Sequence, residues 1–175
     1  EDKGYKVRRL SFPMYDSESS SLVKMYLSGK LGKTADDVDA YAASTLYAAD
    51  RFATYKSDWH TDYEDRNTLI IADRYVSSNM IHQASKIENT DEKDKFLSWL
   101  YDFEYNLYKI PKPDVTLFLD MPPEYGRILM QNRNNKFTDE KTLDIHESDF
   151  SYLEKSYNNA KYVAKKFDWK TVSCI

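Results

Sequence analysis

Short apolar runs alternate along the chain with longer stretches in which apolar side chains recur at helical spacing. The runs predict β-strands at residues 7–12, 68–73, 115–120 and 171–175, and Pro13 and Pro122 end two of them. The intervening stretches predict helices at residues 20–27, 38–49, 77–87, 92–109, 123–132 and 146–167. Strands separated by helices favour right-handed crossovers, so we expect an α/β fold with a parallel sheet covered by helices on both faces.

The apolar run at residues 69–72 ends in Asp73 and Arg74, and this junction carries the first candidate chemistry. A strand buried on both faces of a parallel sheet delivers functional side chains at its carboxyl edge. A carboxylate there can hold Mg²⁺ and its waters, and a guanidinium can bind phosphate oxygens in a fork. A structural ion pair would explain the same two residues, so the junction alone does not decide between these interpretations.

The composition argues against a nucleic-acid-binding protein, a disulfide-linked protein and a membrane-spanning protein. The 175 residues are 41% hydrophobic, which suffices for one domain with its own core, and the 15 tyrosines are explained as amphipathic packing residues. A net charge of −4 without a basic block argues against nucleic acid as the partner. Cys174 is the single cysteine, and no apolar stretch approaches the about 20 residues of a membrane span. We expect a reducing, cytoplasmic setting.

The first residues are typical of a helix end, because Gly4 follows a polar segment and directly precedes a strand. In an α/β domain that helix requires a strand before it. The last predicted strand, in turn, has no closing element after it. We therefore expect residues 1–175 to belong to a single domain that continues beyond both ends of the sequence.

Several sequence segments, taken in their order along the chain, resemble those of a known protein family. They are residues 11–16 (SFPMYD), 47–51 (YAADR), 73–79 (DRYVSSN) with His82 and Gln83, 113–124 (PDVTLFLDMPPE) and 144–147 (DIHE). Their order and spacing resemble the thymidylate kinase family of nucleoside monophosphate kinases. The resemblance implies a three-layer α/β/α P-loop kinase-like fold, phosphoryl transfer from ATP to dTMP with Mg²⁺, and a homodimer.

The same resemblance implies roles for three residues at the acceptor nucleotide. Arg74 would contact the acceptor phosphate, Arg51 a carbonyl of the base, and Tyr47 would stack on the thymine ring. Tyr47 lies four residues before Arg51 on one helical face, so both side chains can reach one ligand. An ordinary surface contact between Tyr47 and Arg51 would explain the same spacing.

Four residues after the strand are expected to line the monophosphate pocket. The amide of Asn79 offers a donor and an acceptor, which suits the N3 and O4 edge of thymine. Ser78, His82 and Gln83 occupy pocket positions in the resemblance. The family often has Tyr where this chain has His82, so strict selection of deoxyribose is in doubt. A half-buried helix residue without a ligand is the alternative interpretation of His82.

The end of the first strand is expected to contribute two further residues. Phe12 precedes Pro13, and an X-Pro bond in such a turn is a candidate for the cis form. Tyr15 resembles a family residue whose hydroxyl meets the acceptor phosphate. Met14 stands where the family often has Arg, so one phosphate contact is expected to be lost or moved.

Residues 127–141 are polar and rich in Asn, and they occupy the position of the family's lid over the donor phosphates. Arg133 and Lys136 are the candidates for catalytic cations, with Arg127 and Arg133 toward ATP. Glu147 would hold Mg²⁺ together with Asp73. A merely solvated loop is the alternative interpretation of this segment.

Phosphoryl transfer of this class needs a Gly-rich loop, G-x-x-x-x-G-K-[ST], between a strand and a helix. Residues 29–34 (GKLGKT) follow a predicted helix and have the wrong glycine spacing, so we reject them and expect the loop upstream of Glu1. Two other functions stay open. A nucleotide-binding or scaffold relative without kinase activity would lack the loop, and a deoxynucleoside kinase would need a carboxylate base at the acceptor hydroxyl.

Overall fold

The computed structural model of the chain describes residues 4–130 and 150–175, with strands and helices in the predicted order. The strands are β1 (Lys6–Ser11), β2 (Thr68–Asp73), β3 (Leu117–Asp120) and β4 (Lys170–Ser173). The helices are α1 (Ser21–Leu27), α2 (Ala40–Thr54), α3 (His60–Glu64), α4 (Val76–His82), α5 (Thr90–Tyr101), α6 (Pro123–Met130) and α7 (Phe150–Lys166). No helix in these two ranges has the length and apolar character needed to cross a membrane.

The strands form two parallel pairs. β1 lies beside β2 in a register that runs from Lys6 opposite Thr68 to Ser11 opposite Asp73. β3 lies beside β4, with Leu117 opposite Lys170. Parallel pairing is confirmed, but no ladder joins the two pairs within residues 4–130 and 150–175. The expected single sheet is therefore present as two separate pairs.

Cover on both faces of the strands was also expected, and the described residues do not provide it. Leu69 and Ile71 of β2 are 53% and 50% exposed, and Leu117 and Leu119 of β3 are each 62% exposed. Apolar strand residues of this kind are suited to burial, yet no described element packs over these four side chains. Among the residues that the structure describes, these faces of β2 and β3 are therefore open, and the expected cover of both faces stays a prediction.

The main core lies on the side of the strands that faces the helices. Phe12, Trp59 and Tyr75 meet there, with ring centroids 5.5 to 6.4 Å apart. They pack with residues of α4, α5 and α7, including Val76, Phe96, Leu97, Leu100 and Val163. Full burial of one such side chain stabilises the fold by about 1.5–3 kcal/mol, so this cluster fixes the strand ends on the helices.

The start of α2 and the end of α5 differ from the predicted bounds for local reasons. The carboxylate of Asp39 accepts hydrogen bonds from the N–H groups of Tyr41 and Ala42 at 2.8 and 3.0 Å, so α2 begins at Ala40 and not at residue 38. The predicted helix 92–109 passes from α5 into a π-helical segment, Asp102–Leu107. Periodicity alone does not distinguish this wider turn from an α-helix.

Candidate functional site

The carboxyl ends of β1 and β2 lie side by side, as the parallel arrangement predicts. The N–H of Phe12 donates to the carbonyl of Asp73 at 3.0 Å, and the Phe12–Pro13 peptide bond is cis, which confirms that prediction. Arg74 follows β2 directly, is exposed, and has a φ of +65°. A residue other than glycine rarely adopts this left-handed conformation unless the surrounding structure holds it, and such residues concentrate at functional sites.

The charge of Arg74 contributes to the electrostatic environment of the Tyr47 hydroxyl. Desolvation by burial raises the pKa of Tyr47 well above its ordinary value, the neighbouring Tyr26, Tyr15 and Tyr152 raise it further, and the charge of Arg74 opposes the shift. The Tyr47 and Tyr26 rings meet edge to face, with centroids 6.2 Å apart. The hydroxyl of Tyr47 therefore stays neutral at physiological pH. The structure brings together three predicted site residues, Tyr15, Tyr47 and Arg74, beside the ends of β1 and β2.

Asp50 organises the loop that carries Tyr15, and the sequence analysis did not single it out. Its carboxylate is 1% exposed, and it accepts hydrogen bonds from the Met14 N–H at 2.9 Å and from the Ser19 hydroxyl at 2.5 Å. A charge-assisted hydrogen bond to a backbone N–H fixes the loop in one conformation. The sequence did contain a signal for Asp50, because it is an acidic residue on the otherwise apolar side of the helix, directly before Arg51.

Arg51 is held by a second residue that the sequence analysis missed. Its Nε and Nη2 groups donate to Oε2 and Oε1 of Glu104, both at 2.6 Å, and the two side chains are 2% and 0% exposed. The ordinary surface contact considered for Arg51 is therefore ruled out. Glu104 could have been found as the carboxylate that continues the apolar face of Leu97 and Leu100 at helical spacing.

A buried polar seam runs between α2 and α4. The Asn79 amide nitrogen donates to the carbonyl of Ser44 at 3.3 Å, which uses part of its donor capacity and leaves its oxygen to accept from a ligand. Gln83 is 1% exposed, so it lies below the surface of the predicted pocket. Its Oε1 and the Ser44 hydroxyl have no hydrogen-bond partner among the residues that the structure describes, which is typical of a place for buried water.

His82 is half-buried at the end of α4, where its ring lies parallel to that of Tyr152. The ring centroids are 6.2 Å apart with an interplanar angle of 16°, and the Tyr152 hydroxyl donates to the His82 carbonyl at 3.0 Å. Tyr152 also influences the pKa of Tyr47, so it joins the predicted pocket although the sequence analysis did not name it. Ser78 lies in the first turn of α4 and is half-buried.

The predicted metal and donor-phosphate residues are placed only in part. Asp73 ends β2 with an exposed carboxylate, and residues 4–130 and 150–175 contain no group of three or more potential metal-ligating side chains. Mg²⁺ commonly takes one or two carboxylates and completes its shell with water and substrate phosphates, so the chemistry of Asp73 as one of its ligands fits that ion. Arg127 belongs to α6, whereas Arg133, Lys136 and Glu147 lie outside the described residues.

Comparison with known proteins identifies a matching family and several relatives. A family model described as thymidylate kinase matches residues 1–171. A probable thymidylate kinase of Staphylothermus marinus is 26% identical over 148 residues, which cover 82% of this chain and 69% of the relative. A probable thymidylate kinase of Sulfolobus acidocaldarius is 30% identical over 126 residues, covering 70% of this chain and 57% of the relative. A thymidylate kinase of Caenorhabditis elegans is 30% identical over 114 residues, covering 65% and 44%.

The chain thus spans between 44% and 69% of the length of these relatives. The family model nevertheless covers all of the segments on which the sequence resemblance rests, from residues 11–16 to residues 144–147. The chain belongs to the thymidylate kinase family.

Proposed function

We propose that the protein is a thymidylate kinase, which transfers the terminal phosphoryl group of ATP to dTMP and releases dTDP and ADP. The observation that carries the proposal is that Arg74 directly follows β2 with a φ of +65°, beside the carboxyl end of β1, where its charge acts on Tyr47. A nucleoside monophosphate needs an aromatic surface for its base and a forked cation for its phosphate, and this pair offers both.

The main role of these residues in the proposal is to position the acceptor phosphate of dTMP. Phosphoryl transfer requires the acceptor oxygen to be held in line with the donor phosphate, with negative charge neutralised nearby. In the proposal Arg74 and the Tyr15 hydroxyl bind the acceptor phosphate, while Tyr47, Arg51 and the Asn79 amide bind thymine. Phe12 and Ser78 shape the pocket, and His82 with Gln83 borders its sugar side.

In the proposal, residues of a different segment bind the donor nucleotide. ATP would be covered by a lid at residues 127–141, with Arg127 and Arg133 as its cations and Lys136 beside the transferred phosphate. Mg²⁺, when bound, would neutralise phosphate charge, and Asp73 and Glu147 are the residues that would hold it through water. The prediction of a cytoplasmic location rests on composition and stays a prediction.

We also propose that the two strand pairs belong to one parallel sheet of a three-layer P-loop kinase-like domain. A further strand, which carries the Gly-rich phosphate loop, would pair through its backbone with the open edges of the two pairs, and further helices would cover the exposed apolar side chains. Leu69, Ile71, Leu117 and Leu119, which are 50% to 62% exposed, support this, because apolar side chains on the face of a parallel strand are suited to burial under another layer.

A deoxynucleoside kinase receives less support from the described residues. Such an enzyme needs a carboxylate base at the acceptor hydroxyl. Asp50 accepts hydrogen bonds from the Met14–Ser19 loop, and Glu104 pairs with Arg51. Neither of these buried acids is therefore available as that base. The other alternative, a relative that binds nucleotides without phosphoryl transfer, would form no ADP from ATP and dTMP, so an activity assay distinguishes it from a kinase.

Tyr47→Ala is expected to weaken dTMP binding and to leave ATP binding unchanged. Stacking of one base on an aromatic ring contributes about 1–3 kcal/mol, so we expect the Kd for dTMP to rise about 5- to 150-fold. Tyr47→Phe is the matched control, because it keeps the ring and removes only the hydroxyl. Calorimetry with each nucleotide separately measures both effects. Equal losses for dTMP and ATP would show that Tyr47 does not belong to a dedicated base pocket.

We further propose a homodimer that forms through an aromatic strip of Tyr41, Trp99, Phe103, Tyr108 and Phe52. Successive ring centroids along the strip lie 4.5 to 5.2 Å apart. Tyr41 is 41% exposed, and Leu107 beside the strip is 67% exposed. Aromatic residues are enriched in the centres of protein interfaces, and a patch of this kind suits a second copy of the chain.

Phe52→Glu is expected to convert the dimer to a monomer, because it places a charge on the apolar strip that the interface would bury. Light scattering after size-exclusion chromatography measures the mass of each variant. Tyr5→Glu is the control, since Tyr5 is also exposed but lies outside the strip. A monomeric wild type, or a Phe52→Glu variant that remains dimeric, would contradict the proposed interface.

A further inference from the structure

The buried pair of Arg51 and Glu104 is the most unusual electrostatic feature among the described residues. Two opposite charges are almost fully removed from water and joined by two hydrogen bonds of 2.6 Å. Stability alone does not explain such a pair, because apolar side chains of similar volume at both positions often stabilise a protein equally or better. The geometry of the Arg51 guanidinium indicates a role beyond stability.

The geometry leaves one edge of the guanidinium for a ligand. Glu104 occupies the edge formed by Nε and Nη2. The other edge, formed by Nη1 and the second Nη2 hydrogen, has no hydrogen bond to any residue in the described ranges. That edge can donate in a fork to one acceptor, and the planar guanidinium fixes its direction once the first edge is held.

Neighbouring features place this edge near the predicted base. Tyr47 lies one helical turn before Arg51, so both side chains leave the same side of α2. Glu104 reaches Arg51 from the π-helical segment Asp102–Leu107, a type of turn that often occurs at functional sites. A lysine at position 51 would have no planar fork and no second edge to hold in place.

We propose that Glu104 is a positioning residue that fixes the guanidinium of Arg51 so that its second edge reads a carbonyl group of the base. This inference rests on the proposed function, in which Tyr47 and Arg51 hold thymine. Glu104 would then determine base specificity without contacting the nucleotide. Thymine presents a carbonyl at position 4 where cytosine presents an amine, so a fixed donor edge favours thymine and disfavours cytosine.

Glu104→Gln in the full-length protein tests the proposal, because it keeps the shape of the side chain and removes the charge and one strong acceptor. We expect the KM for dTMP to rise about tenfold or more, the KM for ATP to stay within about twofold, and the preference for dTMP over dCMP to fall. A merely structural role would not change that preference at temperatures well below unfolding.

A second variant separates positioning from stability. The double change Arg51→Met with Glu104→Leu removes both buried charges, so the melting temperature is expected to match or exceed that of the wild type. The dTMP affinity is nevertheless expected to stay low, since the donor edge is gone. The proposal is overturned if Glu104→Gln keeps both the KM for dTMP and the dTMP preference, or if the double variant binds dTMP like the wild type. A wild type that does not use dTMP would instead refute the proposed function itself.

Discussion

Replacing Arg74 by alanine is expected to lower kcat/KM for dTMP by about 30- to 1,000-fold while changing the melting temperature little. A charge-assisted, forked contact to phosphate contributes about 2–4 kcal/mol to binding or to the barrier. Arg74 is exposed and makes no hydrogen bond or ion pair with the described residues, so its loss removes little from the fold. Steady-state kinetics and thermal unfolding of the same preparation measure both quantities.

Two further variants sharpen this test. Arg74→Gly should be at least as stable as Arg74→Ala, because glycine adopts a φ of +65° without a steric cost, and equally inactive. Arg66→Ala is the matched control, since Arg66 is also exposed and lies in the turn before β2. Activity of Arg74→Ala equal to that of Arg66→Ala, or unfolding of Arg74→Ala, would contradict the assignment of Arg74 to the phosphate.

Arg51→Ala is expected to destabilise the protein by about 3–5 kcal/mol, because it leaves the buried carboxylate of Glu104 without its counter-charge. For a chain of this size the melting temperature would fall by about 6–20 °C. Net stabilities of domains are only about 5–15 kcal/mol, so this loss is a large share of the total. We therefore expect Arg51 to contribute to the stability of the fold as well as to the proposed binding of thymine.

Denaturant unfolding of Arg51→Ala and of the double variant Arg51→Met with Glu104→Leu measures this effect. The double variant is expected to recover the lost free energy of unfolding in full, because no unpaired charge remains. A loss below about 1 kcal/mol in Arg51→Ala would show that water or another group solvates Glu104. Activity loss in Arg51→Ala should be interpreted only alongside this stability measurement.

Local signals predicted the strands and helices well where one residue type determines the boundary. β2 was predicted at residues 68–73 and is found there, because polar Asn67 and Arg74 flank its apolar run. α2 begins at Ala40 because Asp39 caps it, two residues after the start that the periodicity predicted. The change from α-helix to π-helix after Tyr101 left no sequence signal.

Pairing between strands was harder to predict because it depends on residues far apart in the sequence. Alternation of strands and helices indicated parallel pairing, and β1 does lie parallel to β2. The same pattern could not show that the described strands form two separate pairs with Leu69 and Leu119 exposed. Apolar composition reports that a strand is suited to burial and does not identify what covers it.

In the candidate site, too, local motifs identified some residues, whereas residues that act through tertiary contacts were missed. Tyr47 and Arg74 could be named from their motifs, and the charge of Arg74 influences the pKa of Tyr47. Glu104 could not be assigned to Arg51, because 53 positions separate them and only the packing of α2 against the α5 region joins them. Asp50 and Tyr152 were missed for the same reason, since their roles depend on tertiary contacts.

The decisive measurement is ADP formation by the full-length protein with Mg-ATP and dTMP, followed by a coupled assay and by identification of the nucleotide product. We predict that ADP release depends on dTMP, yields dTDP, and falls strongly in Arg74→Ala but not in Arg66→Ala. Release that is independent of dTMP, or that requires thymidine in place of dTMP, would contradict the proposed thymidylate kinase activity.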